Sequence, residues 1–190
     1  MNPTYHSFLF LLSLAFCLVL SYGRLLVLPT SNLTTEACSQ SPKKDLCEKI
    51  INLDQSNPRK NLNDIAFIAF DQTDKAATTN LEFVSQATAI SATAPNDPAQ
   101  SAVDKAIKIC SIEYEHASDA IDGAISALTS GTKGEVIEKF LKDATTSVET
   151  CQVNTKGQNG IAMQLDHMNQ DLLDHLENAL GVFHVYLENN

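Results

Sequence analysis

The pattern of hydrophobic and polar positions predicts four long amphipathic helices in this chain of 190 residues. Apolar residues recur at alternating spacings of three and four, which places them on one face of a helix. The predicted helices cover about residues 62–91, 98–129, 135–152 and 161–187. Short segments rich in Pro, Gly and Asn separate them. Because short loops reverse the chain direction, we predict an all-α, up-down-up-down four-helix bundle.

Each predicted helix has one row of residues that should face the core. The second row runs from Val103 to Leu128, and the third and fourth rows include Phe140 and Leu187. The first row is Leu62, Ile65, Ala69, Gln72, Ala76, Thr79, Phe83, Gln86 and Ile90. Its three polar members favour a hydrogen-bonded layer inside the bundle over a helix surface that contacts a partner.

The N-terminus is typical of a secretory signal peptide. Residues 8–20 form an apolar run too short to span a bilayer, and small residues precede a cleavage position after Gly23. We therefore predict a signal peptide over residues 1–23 and a mature domain over 24–190, with no membrane contact after cleavage. Within that domain we expect a hairpin at about 32–60 and the bundle at about 61–188.

The charge balance narrows the class of partner. The chain has 13 Lys and Arg against 23 Asp and Glu, and its formal net charge is −10. Phosphate backbones need a positive face, so we expect no nucleic-acid partner. A charged protein partner would be basic.

Four cysteines remain after signal cleavage, and an even number in a secreted chain implies disulfides. Cys110 and Cys151 lie at equal distances from the turn between their helices, so they can meet across an antiparallel pair. That bond is worth roughly 3–4 kcal/mol in the chain-entropy model. Cys38 and Cys47 then pair locally and flank the bend of a small helical hairpin. Asn32 begins the sequence Asn-Leu-Thr, a predicted glycosylation site.

Ser41 and Pro42 predict a helix start between the first two cysteines, with Ser as the N-cap and Pro in the first turn. The following Lys43 and Lys44 are interpreted as solvated charges.

The sequence offers little catalytic chemistry. His167, Asp171 and His175 share one helix face, but a solvated polar stripe is favoured over a metal site, which needs further converging ligands. Nucleophile elbows, phosphate loops and metalloprotease motifs do not occur in the sequence. We therefore expect no catalytic residue, no cofactor and no metal.

The cysteine flanks carry a resemblance to a known family. Cys38 and Cys47 are nine positions apart, Cys110 is followed by Tyr114 and small residues, and residues 140–151 begin Phe-Leu and end Glu-Thr-Cys. This pattern resembles the plant invertase/pectin methylesterase inhibitor family over nearly the whole mature chain. The chain departs from the family where Lys43-Lys44 replaces the usual Tyr-Pro and Phe140 replaces the usual Trp.

The resemblance implies a non-catalytic extracellular protein, with a short N-terminal hairpin on a four-helix bundle that covers the active-site cleft of its target. The target would be a pectin methylesterase or an acid invertase. Invertase-directed members can carry Pro-Lys-Phe where this chain has residues 134–136, Gly-Glu-Val, and this departure favours pectin methylesterase. The expected location is the apoplast or cell wall, or the vacuole for a vacuolar invertase.

A small-ligand carrier is the alternative from another class. Its basis is the small residues on the predicted core rows, namely Ala76, Ala117 and Ala144.

Overall fold

The structure is a computed structural model that describes residues 30–56, 59–91, 98–157 and 160–190. The predicted signal peptide, residues 1–23, lies outside the described residues and stays a prediction. The chain divides into two compact units, Met1–Asn32 and Leu33–Asn190, and the second contains the bundle described below.

The described residues form six α-helices and no strand. The helices are α1 (Thr30–Ala37), α2 (Lys44–Leu53), α3 (Leu62–Ser91), α4 (Pro98–Thr129), α5 (Gly134–Thr155) and α6 (Ile161–Glu188). Helices α3 to α6 pack side by side in a ring, because each contacts the next and α6 returns to α3. The predicted all-α bundle preceded by a short helical hairpin is confirmed.

Helix α4 buries the row that its sequence predicts. Ile107, Cys110, Tyr114 and the later members of the row are all buried, and only Val103 at its start is half-buried. Tyr114, Phe70 on α3 and Phe183 on α6 are among the largest fully buried side chains. The interior of the bundle is therefore filled by its own side chains.

The buried row of α3 departs from the predicted one after Ala69. It continues one position later, through Thr73, Ala77, Asn80, Val84 and Ala87. Strict alternation of three and four averages 3.5 residues per turn, whereas an α-helix has 3.6, so the alternating row drifts around a long helix. Repeated steps of four after Ile65 keep the observed row on the core side.

The polar layer predicted from α3 therefore has other members. Gln72 is half-buried, while Thr79 and Gln86 are exposed, so the prediction of a buried layer made by these three residues is wrong. Two neighbours, Thr73 and Asn80, occupy the core row instead.

Two further residues of the predicted core rows, Phe140 on α5 and Leu187 on α6, lie at the edge of the core. Phe140 is half-buried, and a Cβ atom added to Gly123 would lie 2.7 Å from its ring, so Phe140 covers α4 from outside. Leu141 fills the core position beside it. Leu187, in the last turn of α6, is 40% exposed, and one side of it packs against Gly134 at the start of α5.

Both predicted disulfides are present. Cys38 is bonded to Cys47 and Cys110 to Cys151, and all four residues are buried. The Cα atoms of Cys110 and Cys151 are 4.7 Å apart, which shows how closely α4 and α5 approach.

Each bundle helix contributes one residue to a buried polar layer. Tyr114 Oη donates to Asn169 Oδ1 at 2.8 Å, and Asn169 Nδ2 donates to Thr155 Oγ1 at 3.2 Å. Asn80 Nδ2 donates to the carbonyl of Met168 at 3.1 Å. Burial raises the pKa of Tyr114, so its hydroxyl stays protonated and remains a donor. Hydrogen-bonded groups in a buried layer fix how the helices are aligned along their axes.

Replacing Cys110 and Cys151 together by Ser should lower the free energy of unfolding by about 4 kcal/mol, because the disulfide closes a loop that spans 41 residues. Denaturant unfolding followed by circular dichroism measures the change. The matched control is Glu149→Gln, at an exposed position on α5, the helix that carries Cys151. It should change the free energy of unfolding by less than about 0.5 kcal/mol. Equal unfolding free energies for the two variants would contradict this account.

Candidate inhibitory surface

The bend of the N-terminal hairpin lies against α6. Lys43 Nζ is 2.5 Å from Asp174 Oδ1, and the buried Ser41 donates its hydroxyl to Asn178 Oδ1. Lys43 is exposed, as the interpretation of a solvated charge requires, but its charge is paired with Asp174. The predicted helix start is wrong: α2 begins at Lys44, because the Ser41 hydroxyl bonds to α6 instead of capping α2.

Gly181 allows this close approach. A Cβ atom added to it would lie 2.9 Å from Ser41 Cα and 3.1 Å from the carbonyl oxygen of Gln40. Backbone atoms cannot move aside as a flexible side chain can, so the hairpin needs glycine at this position of α6. Gln40 Nε2 also donates to Glu188 near the end of the helix, at 2.6 Å.

Arg59 holds the end of α2. Its guanidinium donates to the carbonyl oxygens of Ile51 at 2.8 Å and Asp54 at 2.5 Å, and to Asn52 Oδ1 at 2.8 Å. Carbonyls at a helix C-terminus lack partners within the helix, so a cationic donor stabilises them. The sequence analysis missed this cap, because the signal is a single Arg several residues beyond the helix.

The histidine face of α6 does not assemble a metal site. His167 and Asp171 are exposed and His175 is half-buried, so the interpretation of a wholly solvated stripe is wrong for His175. Burial lowers the pKa of His175, while nearby Asp171 and Asp174 oppose that shift. In the described part of the chain, no three His, Cys, Asp or Glu side chains converge to hold a metal ion.

Carboxylates crowd the groove between α3 and α4. Partial burial raises the pKa of Asp74, the charges of Asp122 and Asp71 raise it further, and a hydrogen bond from Ser118 opposes the shift. Ser118 Oγ lies 3.2 Å from Asp74 Oδ1 and so links the two helices. Lys75 pairs with Asp71 and partly offsets this negative charge. Within the described residues, Asp74 and Asp122 are therefore the carboxylates left without a lysine partner among these three.

The start of α5 holds residues 134–136, where the resemblance implies a difference between the two expected targets. Gly134 packs beneath Leu187, since an added Cβ atom would lie 2.7 Å from its side chain. Glu135 is exposed and Val136 is 40% exposed, so both can contact a partner. Asn32 lies within α1, and its glycosylation stays a prediction.

None of the helices in the described residues is both long enough and apolar enough to cross a membrane.

Asp74→Asn should raise the melting temperature at neutral pH. Because the pKa of Asp74 is raised in the folded state, its ionised form destabilises the fold, and this effect disappears as pH falls and the carboxyl becomes protonated. The gain should be present at about pH 7 and absent near about pH 3, below the carboxyl pKa values.

Asp119→Asn on α4 is the matched control, because it removes the same charge from an exposed position. Thermal unfolding of both variants across this pH range measures the difference. A gain from Asp74→Asn that does not depend on pH, or one that Asp119→Asn equals, would contradict the crowding described above.

Solved structures of other proteins have a fold similar to that of this chain. A crystal structure of a mutant form of a pectin methylesterase inhibitor from Arabidopsis is similar, with a TM-score of 0.62 and 21% identity over 77% of this chain and 92% of that one. A second crystal structure, of a pectin methylesterase inhibitor from Arabidopsis thaliana, has a TM-score of 0.57 and 22% identity. The match covers 83% of this chain and 97% of that one. At such identities the likeness concerns the fold alone. No curated protein sequence matches the chain.

The sequence also matches a family model, described as plant invertase/pectin methylesterase inhibitor, over residues 32–182. The match includes all four paired cysteines, the hairpin bend and most of α6. Since it spans most of the 190 residues, the chain belongs to the plant invertase/pectin methylesterase inhibitor family.

Proposed function

We propose that this protein is a secreted inhibitor that binds a plant cell-wall pectin methylesterase and blocks its active site. The observation that carries the proposal is the family match over residues 32–182, which includes both disulfide pairs. The two similar structures are of proteins named as pectin methylesterase inhibitors. The proposed protein acts through contact with the enzyme and not through catalysis.

The physical basis of inhibition would be a preorganised surface. The Cys110–Cys151 bond and the buried polar layer hold α4, α5 and α6 together, so little conformational entropy is lost when the outer faces contact an enzyme. The net charge of −10 would speed encounter with a basic partner, while a few buried anchors would supply most of the affinity.

The start of α5 favours pectin methylesterase over acid invertase. Invertase-directed members of the family can carry Pro-Lys-Phe here, whereas residues 134–136 are Gly-Glu-Val. Glu135 has the opposite charge to Lys, and Val136 presents a smaller apolar surface than Phe. An invertase that uses the Lys and Phe side chains would lose both contacts.

Secretion to the apoplast or cell wall is part of the proposal, with removal of residues 1–23 and a glycan on Asn32. The protein would instead be located in the vacuole if its target were a vacuolar invertase.

The carrier function has weaker support. Ala117 and Ala144 are fully buried where α4 and α5 approach closely, so they make room for a neighbouring helix and not for a ligand. Ala76, the third residue on which the carrier hypothesis relied, is only half-buried.

Titration of the secreted protein into plant pectin methylesterases and acid invertases at mildly acidic pH tests the proposal. We expect pectin methylesterase activity, measured as methanol release, to fall as the protein is added, and sucrose hydrolysis by invertase to remain. The double variant E135K/V136F restores the charge and the aromatic ring at the start of α5, and should gain inhibition of invertase if that position decides the target. Glu149→Gln on the opposite half of α5 is its control.

Two outcomes would contradict the proposal. Inhibition of invertase alone would establish the alternative target. If neither enzyme class loses activity across several isoforms, the protein is not an inhibitor of this kind.

A further inference from the structure

The outward face of α4 carries its charges in two separate blocks. Lys105 and Lys108 lie on the N-terminal side of Ile112, and Glu115 and Asp119 lie on its C-terminal side. Their spacings of three and four place all five on one stripe of the helix. All are exposed, and Ile112, at the centre of the stripe, is 53% exposed.

These charges are not paired within the described part of the bundle. Lys105, Lys108, Glu115 and Asp119 form no ion pair in the described part of the chain. Lys108 and Glu115 are seven positions apart, which is about 10 Å along a helix and too far for contact. Elsewhere in the bundle, lysines pair with an acid one turn away: Lys75 with Asp71, Lys139 with Asp143, and Lys142 with Glu138.

This stripe is complementary to itself. If two copies lie antiparallel with Ile112 of each at the centre, Lys108 of one copy faces Glu115 of the other, and Lys105 faces Asp119. A two-fold axis repeats both contacts, giving four ion pairs around two apolar side chains. A parallel arrangement would instead place like charges together. The geometry therefore selects one orientation of one partner.

We propose that the α4 stripe, defined as Lys105, Lys108, Ile112, Glu115 and Asp119, is a contact surface for a second copy of this chain in antiparallel orientation. One helix face buries less surface area than the roughly 800 Å² that each partner buries in a standard interface, so we expect a weak dimer. Each exposed ion pair adds little to the free energy of association, and the net charge of −10 on each copy opposes association. The dimer should therefore form at high protein concentration, in salt that screens long-range repulsion but not contact pairs.

Variants with reversed charges on the α4 stripe test the proposal. The full chain is expressed and the secreted protein is purified for the measurement. Sedimentation velocity at about 0.15 M salt, where the screening length is about 8 Å, follows self-association up to about 1 mM protein. We expect a concentration-dependent dimer for the original chain. Each half-reversal, K105E/K108E or E115K/D119K, should raise the dimer dissociation constant at least about tenfold, because four attractive pairs become repulsive.

The fourfold variant K105E/K108E/E115K/D119K is the decisive one, because it keeps the net charge and reverses both blocks. It should dimerise with itself about as well as the original chain and fail to pair with it. K139E/K142E on α5 is the matched control: it changes net charge as K105E/K108E does, away from the stripe, and should keep the dimer. All these side chains are exposed, and circular dichroism checks that each variant is folded.

Three results would overturn the proposal. The original chain could stay monomeric across the concentration range, the half-reversals could leave self-association unchanged, or the fourfold variant could fail to restore it. If the original chain is monomeric and the half-reversals weaken enzyme inhibition, the stripe contacts the enzyme and not a second copy. The proposed inhibitory function stands or falls separately, because it is measured by enzyme activity.

Discussion

The close contact between α4 and α5 is the constraint on which the rest of the bundle depends. The Cα atoms of Cys110 and Cys151 are 4.7 Å apart, so the two helix backbones are close at this disulfide. Ala117 and Ala144, each seven positions along its helix from a bonded cysteine, are fully buried. Once this pair is fixed, Tyr114 on α4 and Thr155 on α5 both reach Asn169 on α6, and the third helix is aligned with them.

The surface follows from this interior. With the bundle aligned, α6 presents Asp174, Asn178 and Gly181 on one face, and the hairpin bend lies against that face through Lys43 and Ser41. The second disulfide, between Cys38 and Cys47, keeps the bend compact. An inhibitor gains from such rigidity, because a surface that is already ordered loses less entropy on binding.

Much of the fold could be predicted from the sequence, since helical spacing and cysteine positions are local or symmetric signals. The bounds of α3 and α4, the four-helix topology and both disulfides were predicted correctly. The core row of α3 was not, because a strict alternation of three and four drifts over thirty residues. The pairing of Lys43 with Asp174 could not be predicted either, since it depends on where a hairpin lies against a distant helix. Two polar groups on apolar rows were available signals of the buried layer: Asn169 between Leu165 and Leu172, and the hydroxyl of Tyr114 on the α4 row.

The unfolding free energy of Tyr114→Phe tests most directly whether the polar layer holds the helices together. Removing the hydroxyl leaves Asn169 Oδ1 buried without its donor, so we predict a loss of about 1–3 kcal/mol. Tyr186→Phe, at a half-buried ring on α6, is the matched control and should lose less than about 0.5 kcal/mol. Equal unfolding free energies for the two variants would contradict the central role given to this layer.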